Sequence, residues 1–96
     1  MKFTIADKEF NISSAKTKHV LEIERTTGKT LAKLAEDFSF QDVVTIFTKA
    51  LQQSDDTITN DWVEDNTSIS DIEQMNEVVS HFLAVNWAVK YSPMNT

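Results

Sequence analysis

A polypeptide of 96 residues that contains a single glycine, Gly28, and a single proline, Pro93, has few places where it can turn sharply. A sandwich or barrel of many short strands needs turn residues at about 8–12-residue intervals, and this chain lacks them. Helices make no such demand. Apolar residues form 41% of the sequence, too many for a disordered chain. The expected fold is mainly α: a small helical domain of four to five helices with an N-terminal two-stranded β-hairpin, residues 1–96 forming one domain. A domain of this length buries roughly 60–65% of the surface its unfolded chain exposes, enough for one modest core.

The hairpin is expected over residues 1–13. Phe3 and Ile5 alternate with polar neighbours, as do Phe10 and Ile12, and Ala6-Asp7-Lys8-Glu9 reads as the connection. A lone hairpin is marginal in water, so its apolar face must lie on helices or pair with something else. Residues 14–53 read as helices. Ser13 or Ser14 caps the first, which carries Val20, Leu21 and Ile23 and stops at Gly28. Thr30 caps a short second helix with Leu31 and Leu34, ending near Phe38. Ser39 precedes the clearest amphipathic stretch, running to about Gln53. Its apolar side holds Phe40, Val43, Val44, Ile46, Phe47, Ala50 and Leu51, and Gln41, Thr45, Thr48, Lys49 and Gln52 take the other.

Residues 54–69 read as a long acidic connection with a single turn around Trp62 and Val63. Ser70 and Glu73 then form a capping box for the longest helix, residues 70–90. Ile72, Met75, Val79, Phe82 and Leu83 make its stripe, Val78, Val85 and Val89 widen it on one edge, Trp87 widens it on the other, and Asn86 falls inside. That arc is wider than one neighbour can cover. Pro93 ends regular structure, and residues 91–96 form a frayed tail.

Charge and composition exclude several classes of function. A formal charge of -6 argues against non-specific nucleic-acid binding, which needs clustered Lys and Arg. Residues 1–33 carry seven basic and four acidic side chains, whereas residues 34–96 carry two basic and eleven acidic. Such a dipole in sequence fits a solvated acidic surface or head-to-tail self-association. No cysteine is present, which removes disulfides, thiolate metal sites and thiol nucleophiles together. The N-terminus alternates polar and apolar residues without a secretion-signal or membrane-span pattern, so a cytoplasmic location is expected, and the glycosylation-like Asn11-Ile12-Ser13 and Asn66-Thr67-Ser68 are set aside.

No constellation for catalysis is evident, and neither a catalytic residue, a metal nor a cofactor is expected. His19 and His81 stand on separate predicted helices without ligand spacing. The acidic run Asp55, Asp56, Asp61, Glu64 and Asp65 lacks the glycine and the terminal glutamate of a calcium loop in either register tried, from Asp55 or from Asp61. Gly28-Lys29-Thr30 resembles the end of a phosphate-binding loop, but the earlier glycine and the leading strand are missing. Protein binding is the function left, and its candidate residues are Trp62, Val78, Val85, Asn86, Trp87 and Val89. Each tryptophan suits either core or interface, and Asn86 within an apolar arc would fix register between associating helices.

One longer phrase carries a family likeness. The hairpin, then Leu21-Glu22-Ile23-Glu24-Arg25-Thr26-Thr27-Gly28-Lys29-Thr30-Leu31, then Phe40-Gln41-Asp42-Val43-Val44 opening an amphipathic helix, resembles the tail assembly chaperones of long-tailed bacteriophages and prophages over residues 1–53. The resemblance implies a non-enzymatic protein of the bacterial host cytoplasm. It would bind the tape-measure protein and tail-tube subunits during tail morphogenesis, self-associate, and bind neither nucleic acid nor membrane. The residues alone leave an alternative: a small acidic regulatory or inhibitor protein that binds a basic protein partner.

Overall fold

The structure, a computed structural model, describes residues 1–85. Strand β1 (Lys2–Ile5) and strand β2 (Lys8–Asn11) pair antiparallel, Phe3 opposite Phe10 and Ile5 opposite Lys8. The connection is shorter than the four residues expected. Ala6 and Asp7 alone make the turn, at φ 50° and 65°, and Lys8 and Glu9 belong to β2. Two successive positive φ values give the type I′ twist that matches paired strands, at a cost of about 1–2 kcal/mol for an alanine held there.

Residues of alternate parity share one face of the hairpin, so Phe3, Ile5, Phe10 and Ile12 all point the same way. That face closes the core. Phe3 meets Phe47 edge-on with ring centroids 5.5 Å apart, and Phe10 meets Trp62 at 6.1 Å. The outer edge of β2 is held by the segment after the third helix. Ser54 Oγ accepts from the Asn11 N–H at 2.7 Å and donates back to its carbonyl, Gln53 accepts from Ser13 N–H, and Lys8 pairs with Asp55 at 2.6 Å.

Helix α1 (Thr17–Thr27) begins later than Ser13 or Ser14 would place it. Those serines lie in the extended approach, where Ser13 N–H reaches Gln53 and Ala15 N–H reaches the Phe82 carbonyl. His19 acts at the start instead, its Nδ1 accepting from the Lys16 N–H at 2.9 Å while its ring lies against Phe82. Gly28, at φ 71°, ends α1. Thr30 caps α2 (Leu31–Glu36), and Ser39 and Asp42 cap α3 (Phe40–Leu51) reciprocally. Val43, Ile46, Phe47, Ala50 and Leu51 are wholly buried, making α3 the axis against which α1, α4 (Asn60–Asn66) and α5 (Ile72–Leu83) pack.

Two expectations for the C-terminal half need correction. Residues 54–69 hold a helix, α4, rather than one turn in a connection: Thr59 caps it through the Trp62 N–H, and burial of Ile58 and Val63 anchors both ends of its first turn. Helix α5 is entered through a 3-10 turn, Ile69–Asp71, and the capping pair is Ser68 with Asp71, not Ser70 with Glu73. It ends at Leu83, short of Lys90. Ala84 adopts φ 56°, and the Ala84 and Val85 N–H groups take the carbonyls of His81 and Ser80. This is a left-handed termination made without glycine, which no sequence rule would have placed here. Both α3 and α5 have twelve residues, so the last helix is not the longest.

One buried polar atom stands out within α5. Asn76 is 5% exposed, and its Oδ1 accepts no hydrogen bond among the described residues. Leaving a buried acceptor unpaired costs about 1–3 kcal/mol. Asn76→Leu, similar in volume, is therefore expected to raise unfolding stability by about 1 kcal/mol in urea titration. A loss of stability would show that the amide makes a hydrogen bond that holds α5 in place.

Candidate protein-binding surface

The connection between α1 and α3 is built as a joint, and its residues are those of the phrase Glu24 to Leu31. Gly28 N–H closes on the Glu24 carbonyl, and the Glu24 carboxylate accepts from Leu31 N–H at 3.1 Å. Thr27 Oγ1 donates to the Ile23 carbonyl and accepts from Lys29 N–H. Lys29 then reaches across to Asp42 at 2.8 Å and to the Asp37 carbonyl at 3.0 Å. Burial alone would push the Asp42 carboxyl up, but Lys29 and the Ser39 donors outweigh it and hold it below the usual aspartate range. The Gly-Lys-Thr tripeptide thus fixes the angle between two helices, and its lysine is committed to a carboxylate.

That angle leaves one side of α3 open. Phe40 and Val44, one turn apart, form the floor of a groove of about 420 Å³ whose opposite wall is Asn60 and Glu64 of α4. Phe40 is 39% exposed. Two smaller hollows continue the surface past Thr45 to Thr26 of α1, one toward Thr48 and Gln52 and the other toward Lys29 and Asp42. The lining is apolar at one end and hydroxyl- and amide-rich at the other. Beyond Glu64, Asp61 and Asp65 are exposed on the same helix, and none of the three makes an ion pair among the described residues.

The residues singled out from sequence do not assemble into one site. Val78 is fully buried in the core, with no surface left for a partner, which removes it from the interface set. Trp62 is partly buried, its ring packed on Phe10 under the hairpin rather than in the groove. Val85 is partly buried just beyond α5. Asn86, Trp87 and Val89 lie outside the described residues. In the acidic run, Asp55 is committed to Lys8 and Thr57, while Asp56, Asp61, Glu64 and Asp65 remain exposed. No group of three histidine, aspartate or glutamate side chains among the described residues is placed to hold a metal ion.

Phe40 was the residue the helical wheel misassigned. It belongs to the apolar arc of α3 but sits at the arc's edge and in the first turn, where the chain before it turns away and no neighbour covers the ring. The opposite wall lay in the supposed connection, so no groove was visible. No protein-family model matches the chain, and neither a curated protein nor a solved structure is significantly similar to it.

The ionic struts make stability depend on acid. Lys8 and Thr57 hold the Asp55 carboxyl down at about 2, and Lys49 holds Glu22 below its ordinary value. His19 is also lowered, by burial and then by Lys18. In each case the folded state binds protons less readily than the unfolded chain, so protonation favours unfolding. The stability these groups add is present above their ordinary pKa values and is lost as the pH falls through the folded ones. Thermal melts should show two declines with falling pH, one starting near the ordinary histidine value of 6.5 and absent in His19→Gln, and one in the carboxylate range. Asp55→Asn should shallow the second decline, and an unchanged slope would mean the Lys8 strut adds nothing.

Proposed function

We propose that this chain is a non-enzymatic assembly chaperone that binds another protein through the α3–α4 groove. The observation that carries the reading is the exposed Phe40, floored with Val44 and flanked by uncommitted polar side chains of α3 and α4. A half-exposed aromatic beside a concave surface offers a partner apolar area together with a rim of hydrogen-bonding groups, the usual composition of a protein-binding patch.

The resemblance of residues 1–53 to phage tail assembly chaperones supplies the class of client. On this reading the client is the tape-measure protein, a long helical chain that must be kept soluble in the host cytoplasm while tail-tube subunits gather on it. A helix can lay its apolar face into a groove of this kind through side chains spaced one turn apart, matching Phe40 and Val44. The Glu24–Leu31 phrase would then serve structurally, holding α1 and α3 so that the groove stays open.

The test is co-expression with the cognate tape-measure protein. The wild-type chain is expected to keep that protein soluble and to co-purify with it at moderate salt. Phe40→Asp should abolish co-purification while leaving the melting curve nearly unchanged, because the ring is partly in solvent and an acidic residue in the first turn of a helix is favourable. Retention of the client by Phe40→Asp would place the binding surface elsewhere.

A further inference from the structure

The exposed face of α1 has the chemistry that the groove lacks. Leu21 is 50% exposed, the larger exposure of the two apolar side chains that helices α1 and α3 leave open. Lys18 stands three residues before it and Arg25 four after, so all three share one face of the helix. Both cations are exposed and neither makes an ion pair among the described residues. None of the three lines the groove. One surface of the molecule is therefore an apolar anchor between two positive charges. Another is an apolar floor beside Glu64, Asp61 and Asp65.

We propose that the groove of one copy receives the α1 face of a second copy, with Leu21 seated on Phe40 and Val44 and with Lys18 and Arg25 against the α4 carboxylates. The inference rests on reading the groove as a protein-binding surface. The two patches differ, so the contact is heterologous: each copy that fills a groove presents its own empty groove to the next, and association continues into a ring or an open chain. The charge asymmetry of the sequence, positive over residues 1–33 and negative after them, has this contact as its spatial counterpart. Apolar seating provides a component that salt does not remove, while the charge pairs weaken within a short Debye length.

Light scattering after size-exclusion chromatography, over a range of concentrations and at low and high salt, tests the contact. The wild type is expected to grow in mass with concentration and to do so less at high salt. Leu21→Asp and Phe40→Asp should each weaken self-association at least about tenfold, with circular dichroism melts confirming that both variants fold. The deciding sample is the mixture of the two variants. Phe40→Asp keeps an intact α1 face and Leu21→Asp keeps an intact groove, so together they should form a dimer that grows no further. No dimer in the mixture would overturn the proposal, as would a wild type that stays monomeric to millimolar concentration or oligomers indifferent to both changes. The last result would point to an isologous contact such as pairing of two β1 edges. A monomeric wild type that still holds the tape-measure protein soluble would leave the proposed function standing and remove the self-docking. A mixed dimer without client capture would do the reverse.

Discussion

Helix α3 is the constraint on which the other elements depend. Its buried residues run in an unbroken arc from Val43 to Leu51, and α1, α4, α5 and the hairpin each reach the core by packing on some part of that arc. No other helix buries so much of itself, with only Ile23 of α1, Leu34 of α2 and Val63 of α4 classed as buried in their elements. These short helices would not persist alone, since nucleating a helix of 6 to 11 residues is unfavourable without tertiary contacts. A helix that serves as axis for several neighbours still has a fourth side. On α3 that side carries Gln41, Thr45 and Gln52, and the groove is what remains between the neighbours.

Local polar contacts decide how the neighbours are set. The joint between α1 and α3 uses each polar side chain of Thr27, Lys29, Thr30 and Ser39 for a backbone group or a carboxylate, so the chain reverses there with one glycine. On the opposite side, Ser54, Gln53 and Asp55 cover the edge of β2 and tie the hairpin to the end of α3. A two-stranded sheet is marginal by itself, and this one gains its stability from Phe47 and Trp62 beneath it and from those three side chains beside it. The long reach in sequence between these partners explains why the hairpin could be read from its alternation but its support could not.

What was legible in the sequence followed from local rules, and what was missed followed from tertiary ones. The pairs Phe3 with Phe10 and Ser39 with Asp42, and the left-handed stop at Gly28, each rest on residues within a few positions of one another. Helix α4 was hidden because its segment is rich in turn-formers and only Ile58 and Val63 give it an apolar anchor. The end of α5 was hidden because Ala84 is a good helix former that nevertheless takes a left-handed conformation. Val78 was read as surplus apolar surface on the assumption that a single neighbour covers α5, and its complete burial shows the core closing around more of the helix than a two-helix contact would. The candidate groove needed Phe40 and Glu64 side by side, a juxtaposition across the bend between α3 and α4 that no spacing rule contains.

Size and chemistry of the groove bear on how tightly anything could be held there. Two apolar side chains and a few exposed charges form a small contact, and exposed charge pairs are typically worth about 0.2–1 kcal/mol each. Association also costs rotational and translational freedom, which limits such an interface to weak binding at any single groove. On the proposed reading that weakness is compatible with the task. A chaperone displaced during assembly must release its client, and repeated weak contacts along a long chain achieve strong overall retention through effective concentration while each contact remains exchangeable. The same Phe40 and Val44 floor cannot hold a client helix and a neighbouring copy at once, so the two occupants compete, and the balance between them follows from their concentrations and not from a change in fold.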